Sequence, residues 1–224
     1  MNDKHISFWG RTLEDYNAMF NLKPLSNSIN IVSIADGPST VNLELRNKGF
    51  NFKSVDPVYG FSLDEIERYF SESFEYNKTF FYNNKDKFVF GDSIEITKIL
   101  SKRKETYESF IQDFKINKAD YIVGSLPALP FSNQSFDLCL CSNFLFLFDD
   151  SFDLNFHFLS IQEMLRISKE LRIFPIYNRQ GNTSVFFNRV LDFLNERGYI
   201  WSLQESKYEI YKGQHNYLQI AHSL

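Results

Sequence analysis

The sequence predicts an α/β domain built on a doubly wound parallel sheet, and three observations support that prediction. Short apolar runs alternate with segments in which apolar residues recur at helical spacing, as in a parallel sheet covered by helices on both faces. The runs are nearly continuous, residues 29–35 for example, as buried parallel strands require. Two further runs, 206–211 and 217–222, flank a turn with Gly213 and predict a closing antiparallel hairpin.

The length and the cysteine count are typical of one domain that needs no cross-links. A chain of 224 residues buries a sizeable core without disulfides or metals, so residues 1–224 are treated as a single domain. Cys139 and Cys141 lie two apart in a predicted strand and therefore point to the same face, which is poor geometry for a disulfide. Two thiols are half of a zinc site, so we expect buried, reduced cysteines and no metal.

The charge distribution favours a protein without nucleic-acid or membrane partners. The net charge of −4 and the pI near 5.6 argue against a general nucleic-acid binder. The one dense basic cluster, Lys102-Arg-Lys104, is followed by Glu105 and Glu108 and predicts a solvated helix face. The N-terminal segment has no apolar core of a signal peptide, and no apolar stretch is long enough to span a bilayer. A cytoplasmic protein is therefore predicted.

The predicted elements follow the alternating pattern from one end of the chain to the other. Apolar spacing in residues 1–22 predicts an N-terminal helix that ends before Pro24, and its apolar face is a possible homodimer surface. The predicted strands are 29–35, 52–55, 120–124, 136–141 and 171–176, and the predicted helices between them include 39–48, 156–169 and 183–197.

Residues 62–117 contain more chain than a simple crossover between parallel strands needs. Helical patterns at 62–80 and 92–115 are separated by Asn83-Asn84 and Gly91. We therefore predict a helical insertion that forms a lid over the carboxyl edge of the sheet.

The turn after the first strand, Ala35-Asp-Gly-Pro-Ser39, is the predicted ligand site and is called the first turn below. Ligands of such sheets bind outside the carboxyl ends of the strands, and a helix that begins near Ser39 offers free N–H groups. Two roles stay open for Asp36: it binds a ligand ammonium group, or it is the N-cap of that helix.

Asp56 ends the second strand, where nucleotide-binding sheets place the carboxylate that binds the ribose hydroxyls. A carboxylate accepts hydrogen bonds without donating any, which suits a diol. Pro57 fixes the backbone that follows. The ribose role is predicted, and capping of a surface turn is the alternative.

Residues 121–143 resemble the middle of class I S-adenosylmethionine (SAM)-dependent methyltransferases. Gly124-Ser-Leu-Pro-Ala-Leu-Pro-Phe131 followed by Ser135-Phe-Asp137 is similar to the L-P-F and S-F-D segments that join the third and fourth strands in that family. The first turn resembles the family's first motif, D-x-G-x-G-x-G, in part. Gly37 stands at its middle glycine, and Ser33 stands at the position of its acid.

The chain as a whole resembles a bacterial branch of this superfamily, similar to type 11 methyltransferases, that has a divergent first motif. The matching segments include Phe8-Trp-Gly-Arg-Thr12, Val55-Asp-Pro-Val-Tyr59 and Arg172-Ile-Phe-Pro175. They cover nearly the full length of the chain, and they do not identify a methyl acceptor.

The resemblance implies a Rossmann-like class I methyltransferase sheet, SAM as the cofactor and S-adenosylhomocysteine as the product. Ser125 stands where the family has the aspartate that binds the adenine amino group, and a structural turn is the alternative there. The cofactor-binding residues implied by the resemblance are Ala35, Asp36, Gly37, Asp56, Pro57, Ser125, Leu126, Ser142 and Asn143.

Three side chains are candidate catalytic residues. Asn143 lies at the carboxyl end of the fourth strand, where the methyl group and its acceptor meet in the family. Tyr177 follows the fifth strand, and His157 begins a helix. His157 is a possible general base, although a histidine between two phenylalanines is also typical of a core position.

Three functions remain open at this point. The first is a SAM-dependent methyltransferase acting on a small molecule, in which the protein supplies mainly proximity and alignment. The second is a nicotinamide-dependent oxidoreductase, which the single glycine of the first turn and the closing hairpin argue against. The third is a non-catalytic SAM-binding or degenerate methyltransferase-fold interaction module. A well-formed pocket favours catalysis, and a pocket filled by phenylalanines favours the third.

Overall fold

The computed structural model describes residues 8–23 and 25–223, which form one seven-stranded sheet with helices on both faces. The strands are β1 (Asn30–Ile34), β2 (Asn51–Val55), β3 (Tyr121–Ile122), β4 (Phe136–Ser142), β5 (Ser168–Phe174), β6 (Ile200–Glu205) and β7 (Asn216–Ala221). Their order across the sheet is β3-β2-β1-β4-β5-β7-β6. β1 to β5 pair in parallel, and β7 is antiparallel to β5 and β6. The predicted doubly wound sheet with a closing antiparallel strand is confirmed.

Six α-helices connect or flank the strands in the described part of the chain. They are α1 (Leu13–Phe20), α2 (Val41–Arg46), α3 (Leu63–Asn83), α4 (Ser93–Ile116), α5 (Leu154–Ile167) and α6 (Phe187–Glu196). None of the helices in residues 8–23 and 25–223 combines the length and the apolarity that crossing a bilayer requires.

The two faces of the sheet bury separate apolar clusters, because successive strand residues point to opposite sides. On β4, Cys139 and Cys141 face the cluster that contains α5 and α6, whereas Leu138 and Leu140 face the cluster that contains α1. Both cysteines are buried free thiols, as predicted.

The N-terminal helix is shorter than predicted. The part of the prediction that covers residues 1–7 and Pro24 lies outside the described residues, and α1 begins only at Leu13. A capping box fixes that start, since Thr12 Oγ1 accepts from Asp15 N–H at 3.3 Å and Asp15 accepts from Thr12 N–H at 3.0 Å.

The apolar face of α1 is not a free surface. Leu13, Tyr16, Met19 and Phe20 are buried in the core of the same chain. The expectation that this face forms a homodimer contact is therefore wrong, and a homodimer stays a prediction without a surface assigned to it.

The segment between β2 and β3 folds as the two long helices α3 and α4, close to the predicted bounds. A capping box between Ser62 and Glu65 starts α3, and the Asp92 side chain starts α4 by accepting from two main-chain N–H groups at 2.8 and 2.9 Å. The rings of Phe70 and Tyr107 stack between the helices with centroids 3.8 Å apart. Whether this pair acts as a lid stays a prediction.

The predicted strand at 206–211 is wrong. β6 ends at Glu205, where it pairs with Asn216, and residues 206–215 form a long connection. The connection turns inward because Tyr211 is buried against the segment after α3. Phe88 forms a bridge with Tyr211, and Val89 N–H donates to the carbonyl oxygen of Ile210 at 3.0 Å.

Other element boundaries differ from the predictions by a few residues. α2 covers only Val41–Arg46, and the N–H of Thr40 before it donates to the carbonyl oxygen of Arg11 at 3.0 Å. β3 covers two residues because the sharp turn at 125–128 follows closely. α6 begins at Phe187 instead of 183.

Candidate functional site

A cavity of about 710 Å³ lies at the carboxyl edge of the parallel strands. The ends of β1, β2, β4 and β5 line one side, and α3, α4 and the connection 206–215 line the other. Its volume falls within the range of about 300–1,000 Å³ that is typical of small-molecule sites. The predicted residues that line it are Ala35, Asp36, Gly37, Asp56, Pro57, Ser125, Leu126, Ser142, Asn143 and Tyr177.

Asp36 is buried beneath the first turn and accepts three hydrogen bonds from hydroxyl groups. Tyr16 and Ser33 donate to Oδ1 at 2.5 and 2.9 Å. Ser54 donates to Oδ2 at 2.6 Å. Burial raises the pKa of Asp36 above its ordinary value, and these hydroxyl donors oppose that rise.

This arrangement corrects one of the two roles considered for Asp36. The residue before α2 is Thr40, and Asp36 is not its N-cap. Ser33 stands at the acid position of the first motif, and the Asp36 carboxylate folds back onto its hydroxyl. The Asp36 carboxylate thus lies 2.9 Å from the Ser33 hydroxyl. Binding of an ammonium group by Asp36 stays a prediction.

Asp56 joins the end of β2 to the first turn. Its Oδ2 accepts from Gly37 N–H and its Oδ1 accepts from Val58 N–H, both at 3.0 Å. Burial raises the pKa of Asp56 to about 6, and these two N–H donors limit the rise. Asp56 therefore caps the short 3₁₀-helix Pro57–Gly60, the alternative role, and also lines the cavity.

Three residues at the switch point of the sheet have left-handed backbone conformations. Ala35 (φ 56°) and Gly37 (φ 59°) follow β1, and Asn143 (φ 52°) follows the adjacent β4. A β-carbon on Gly37 would meet nothing within 4 Å, so this part of the backbone is open to a ligand. Ala35 costs about 1–2 kcal/mol in this conformation, since its β-carbon crowds the following carbonyl oxygen.

The turn after β3 brings Ser125 and Leu126 to the cavity. The N–H of Ala128 donates to the carbonyl oxygen of Ser125 at 3.1 Å, and the Leu126–Pro127 bond is cis. Within the described residues the Ser125 hydroxyl has no recorded hydrogen bond, and the residue is exposed.

Ser142 and Asn143 connect β4 to neighbouring elements. Ser142 Oγ donates to the Tyr16 hydroxyl at 2.9 Å, so it belongs to the buried network around Asp36. The main-chain N–H of Asn143 donates to the carbonyl oxygen of Phe174 at 2.6 Å. Its side-chain amide lies 3.6 Å from the sulfur of Met19.

His157 is not brought to the site. It is fully buried, with Nδ1 at 2.7 Å from the carbonyl oxygen of Asp153 and Nε2 at 3.2 Å from that of Leu145. Burial lowers its pKa. Each ring nitrogen faces a main-chain carbonyl oxygen and the side chain does not line the cavity, so the expectation that His157 is a general base is wrong.

Sequence reasoning missed two arginines in the cavity wall. Arg103 was expected on a solvated face, yet it is buried, with Nη1 at 2.5 Å from Asp15 and Nη2 at 3.1 Å from the Tyr208 hydroxyl. Arg11 was placed in the N-terminal helix, but it precedes α1 and is also buried. The only signal for Arg11 was its place in the segment Phe8-Trp-Gly-Arg-Thr12 that carries the resemblance.

Comparison with known proteins supports the fold and identifies a relative. The chain matches no protein-family model. It is 32% identical over 224 residues to the uncharacterized protein MJ0045 of Methanocaldococcus jannaschii, and the match covers 98% of each chain.

Two solved structures resemble the chain at low sequence identity. The PH0226 protein from Pyrococcus horikoshii has a TM-score of 0.50 at 12% identity, covering 95% of this chain and 91% of that one. A SAM-dependent methyltransferase from Methanosarcina mazei has a TM-score of 0.47 at 16% identity, covering 89% and 94%. The likeness to the P. horikoshii structure shows a shared fold.

Proposed function

We propose that this chain, which belongs to the same family as the Methanocaldococcus jannaschii protein MJ0045 and has the class I methyltransferase fold, transfers a methyl group from SAM to a small molecule. The observation that carries the proposal is the hydrogen bond between Asp56 and the N–H of Gly37. It holds the carboxylate at the end of β2 beside the first turn, at the switch point where such sheets bind nucleotides.

The residues around the first turn fit a SAM molecule. Each oxygen of Asp56 accepts one main-chain N–H and keeps a further lone pair, so a ribose diol has acceptors available. The backbone at Gly37 leaves open space for close approach. The free Ser125 hydroxyl and the apolar side chain of Leu126 lie at the cavity edge, in position for the adenine ring.

The bound cofactor would supply an activated methyl group that the acceptor atom attacks in a direct displacement. The protein then has to align the two reactants and exclude water, and it needs no metal for that task. Asn143 follows β4 next to the first turn, where its amide can orient an acceptor. Aromatic side chains from α3 and the segment after it, including Phe81 and Phe88, form an apolar part of the opposite side of the cavity.

The size of the cavity supports a small acceptor and the catalytic alternative. Phenylalanines line the cavity without filling it, and about 710 Å³ remains. A pocket filled by phenylalanines would favour a non-catalytic module. This pocket is not filled, so the catalytic alternative is favoured. Because the cofactor and the acceptor would share this volume, the size of the cavity favours a small-molecule acceptor.

Calorimetric titration with S-adenosylhomocysteine tests the proposal. We expect micromolar binding to the wild-type protein and at least tenfold weaker binding to Asp56→Ala. Absence of binding to folded wild-type protein up to millimolar ligand would overturn the assignment and leave the degenerate-module alternative.

Asp137→Ala is the matched control for this titration. Asp137 also accepts a main-chain N–H, from Asn30 at 2.9 Å, but it lies at the amino end of β4, on the opposite edge of the sheet. We expect this variant to bind S-adenosylhomocysteine as the wild type does. Equal losses in both variants would mean that the effect of Asp56→Ala is structural.

A further inference from the structure

Buried polar atoms without a partner concentrate on one wall of the cavity. Among the residues that the structure describes, four buried side-chain nitrogen or oxygen atoms have no hydrogen-bond partner: Nε of Arg11, Nε of Arg103, the Tyr177 hydroxyl and Oγ of Ser160. The first three belong to residues that line the cavity. Each such group costs about 1–3 kcal/mol when left unpaired. Their concentration at one place points to a ligand that supplies acceptors.

Among the described residues, the two buried arginines of this wall have one buried carboxylate between them. Arg103 pairs with Asp15, with 2.5 Å between Nη1 and Oδ2. Arg11 has no carboxylate within 4.0 Å in the described chain, and its Nη1 donates only to main-chain carbonyl oxygens at 3.1 and 3.3 Å. Two buried guanidinium groups therefore share one buried carboxylate. An uncompensated buried charge is costly, and an anionic ligand would offset that cost.

Two tyrosines complete this part of the wall. The Tyr208 hydroxyl accepts from Arg103 and keeps its own proton for donation to a ligand. Burial raises the pKa of the Tyr177 hydroxyl. The neighbouring Tyr208 and Tyr211 add to that rise, and the positive charge of Arg11 opposes it. Tyr177, Tyr208 and both arginines line the same cavity.

The position of Arg11 places this wall beside the first turn. The carbonyl oxygen of Arg11 accepts from Thr40 N–H and from Ser39 Oγ, both at 3.0 Å. The neighbouring Gly10 lies close to Pro38. A β-carbon added at Gly10 would lie 2.0 Å from the carbonyl oxygen of Pro38. The main chain of Arg11 therefore packs on the first turn, and its side chain lines the cavity.

We propose that Arg11 and Arg103, together with the hydroxyl groups of Tyr177 and Tyr208, form a carboxylate-binding subsite of this cavity. A planar guanidinium matches the two oxygens of a carboxylate, and phenol hydroxyls donate to the same oxygens. The carboxylate belongs either to the amino-acid end of the cofactor or to an acceptor with an apolar or aromatic body. The subsite rests on the proposed function in that the same cavity holds the cofactor.

Two pairs of ligands and two variants of the protein separate the two sources of the carboxylate. S-adenosylhomocysteine carries the amino-acid carboxylate, and 5′-methylthioadenosine lacks it. Phenylacetate and phenylacetamide form an isosteric pair that differs in charge, and they are titrated with and without S-adenosylhomocysteine. Arg11→Gln removes the charge. Tyr177→Phe removes a hydroxyl that has no partner in the described chain, so it should leave the fold intact.

Either source gives a distinct expected result. If the cofactor supplies the carboxylate, Arg11→Gln should weaken the binding of S-adenosylhomocysteine at least tenfold, and Tyr177→Phe should weaken it about threefold. Both variants should then bind 5′-methylthioadenosine as the wild type does. If the acceptor supplies it, both nucleosides bind unchanged. The wild type then binds phenylacetate at least tenfold tighter than phenylacetamide, and the variants lose that preference.

The subsite and the proposed function fail in different ways. The subsite proposal would be overturned if Arg11→Gln and Tyr177→Phe matched the wild type both in their nucleoside affinities and in their preference for phenylacetate over phenylacetamide. Wild-type protein that binds neither nucleoside would overturn the proposed function alone, because the phenylacetate pair without nucleoside still tests the subsite. Arg46→Gln is the control, since Arg46 is paired with Asp113 and Asp120 away from the cavity.

Discussion

The hydroxyl group of Tyr16 donates a hydrogen bond of 2.5 Å to Oδ1 of Asp36, and this contact joins α1 to the first turn. Both side chains are buried, and Ser142 Oγ donates to the same hydroxyl at 2.9 Å. The middle of α1 and the carboxyl ends of β1 and β4 are therefore connected through one polar network. A helix that precedes the sheet thus helps to determine the conformation of the turn proposed to bind the cofactor.

Tyr16→Phe should destabilise the protein. The substitution removes a donor from a buried carboxylate whose pKa is already raised by burial, and it leaves Ser142 without its acceptor. A buried polar group that loses its partner costs about 1–3 kcal/mol. Urea denaturation should show a loss of that size in the free energy of unfolding.

Tyr177→Phe is the internal comparison for that measurement. It removes the same atom from an equally buried tyrosine whose hydroxyl has no partner in the described part of the chain. We expect its free energy of unfolding to equal that of the wild type within about 0.5 kcal/mol or to exceed it. Equal losses in the two variants would contradict the network around Asp36.

The affinity for S-adenosylhomocysteine should fall at acidic pH. Burial raises the pKa of Asp56 to about 6, and a ribose diol is bound by the ionised carboxylate. Lowering the pH from 7 to 5 reduces the ionised fraction about tenfold, so titrations at these two pH values should differ by about that factor. In Asp56→Asn the affinity should be weak at both pH values and should lose this dependence.

The same group should change stability in the opposite direction. Between the ordinary carboxyl pKa, about 4, and the raised value of about 6, folded Asp56 holds a proton that the unfolded chain has released. Its contribution therefore stabilises the protein as the pH falls through this window and is lost as the pH rises. The free energy of unfolding of the wild type minus that of Asp56→Asn, measured by urea denaturation, should increase as the pH falls from about 6 to about 4. The opposite sign would mean that the pKa of Asp56 is not raised.

Ala35→Gly should stabilise the protein. Ala35 stands at the first glycine position of the motif and has φ of 56°, where a β-carbon is unfavourable. Glycine removes that cost and adds some chain entropy to the unfolded state, so we expect a net gain of about 0.5–1 kcal/mol in thermal or urea denaturation. A loss of stability would mean that Ala35 does not adopt the left-handed conformation in solution.

The fold was predictable because its signals are local and repeated. The runs that form β1 and β4 are apolar on both faces, as the central strands of a covered parallel sheet have to be. The helical periodicity of 62–80 and 92–115 closely matches α3 and α4. The hairpin prediction failed at 206–211 because the aromatic residues of this segment fit the pattern of a strand as well as that of a connection that lines the cavity. Tyr208 and Tyr211 line the cavity instead, and only the tertiary structure distinguishes this arrangement from a strand.

The site was predictable only where it follows the strand ends. Asp56 and Gly37 could be placed because the carboxyl ends of parallel strands meet at one edge. Arg103 could not, because its burial depends on Asp15, which is 88 residues away in the sequence. A basic cluster next to glutamates looks solvated until the partner that neutralises it is known.

Gly10→Ala should disrupt the contact between the N-terminal segment and the first turn. A β-carbon at this position would lie 2.0 Å from the carbonyl oxygen of Pro38, and main-chain atoms cannot move aside as a flexible side chain can. We expect a loss of about 1–3 kcal/mol in urea denaturation, together with weaker binding of S-adenosylhomocysteine. Gly60→Ala is the control, because its β-carbon would meet only the exposed side chain of Val123, at 3.3 Å. Wild-type stability and affinity in Gly10→Ala would show that this segment does not pack on the first turn.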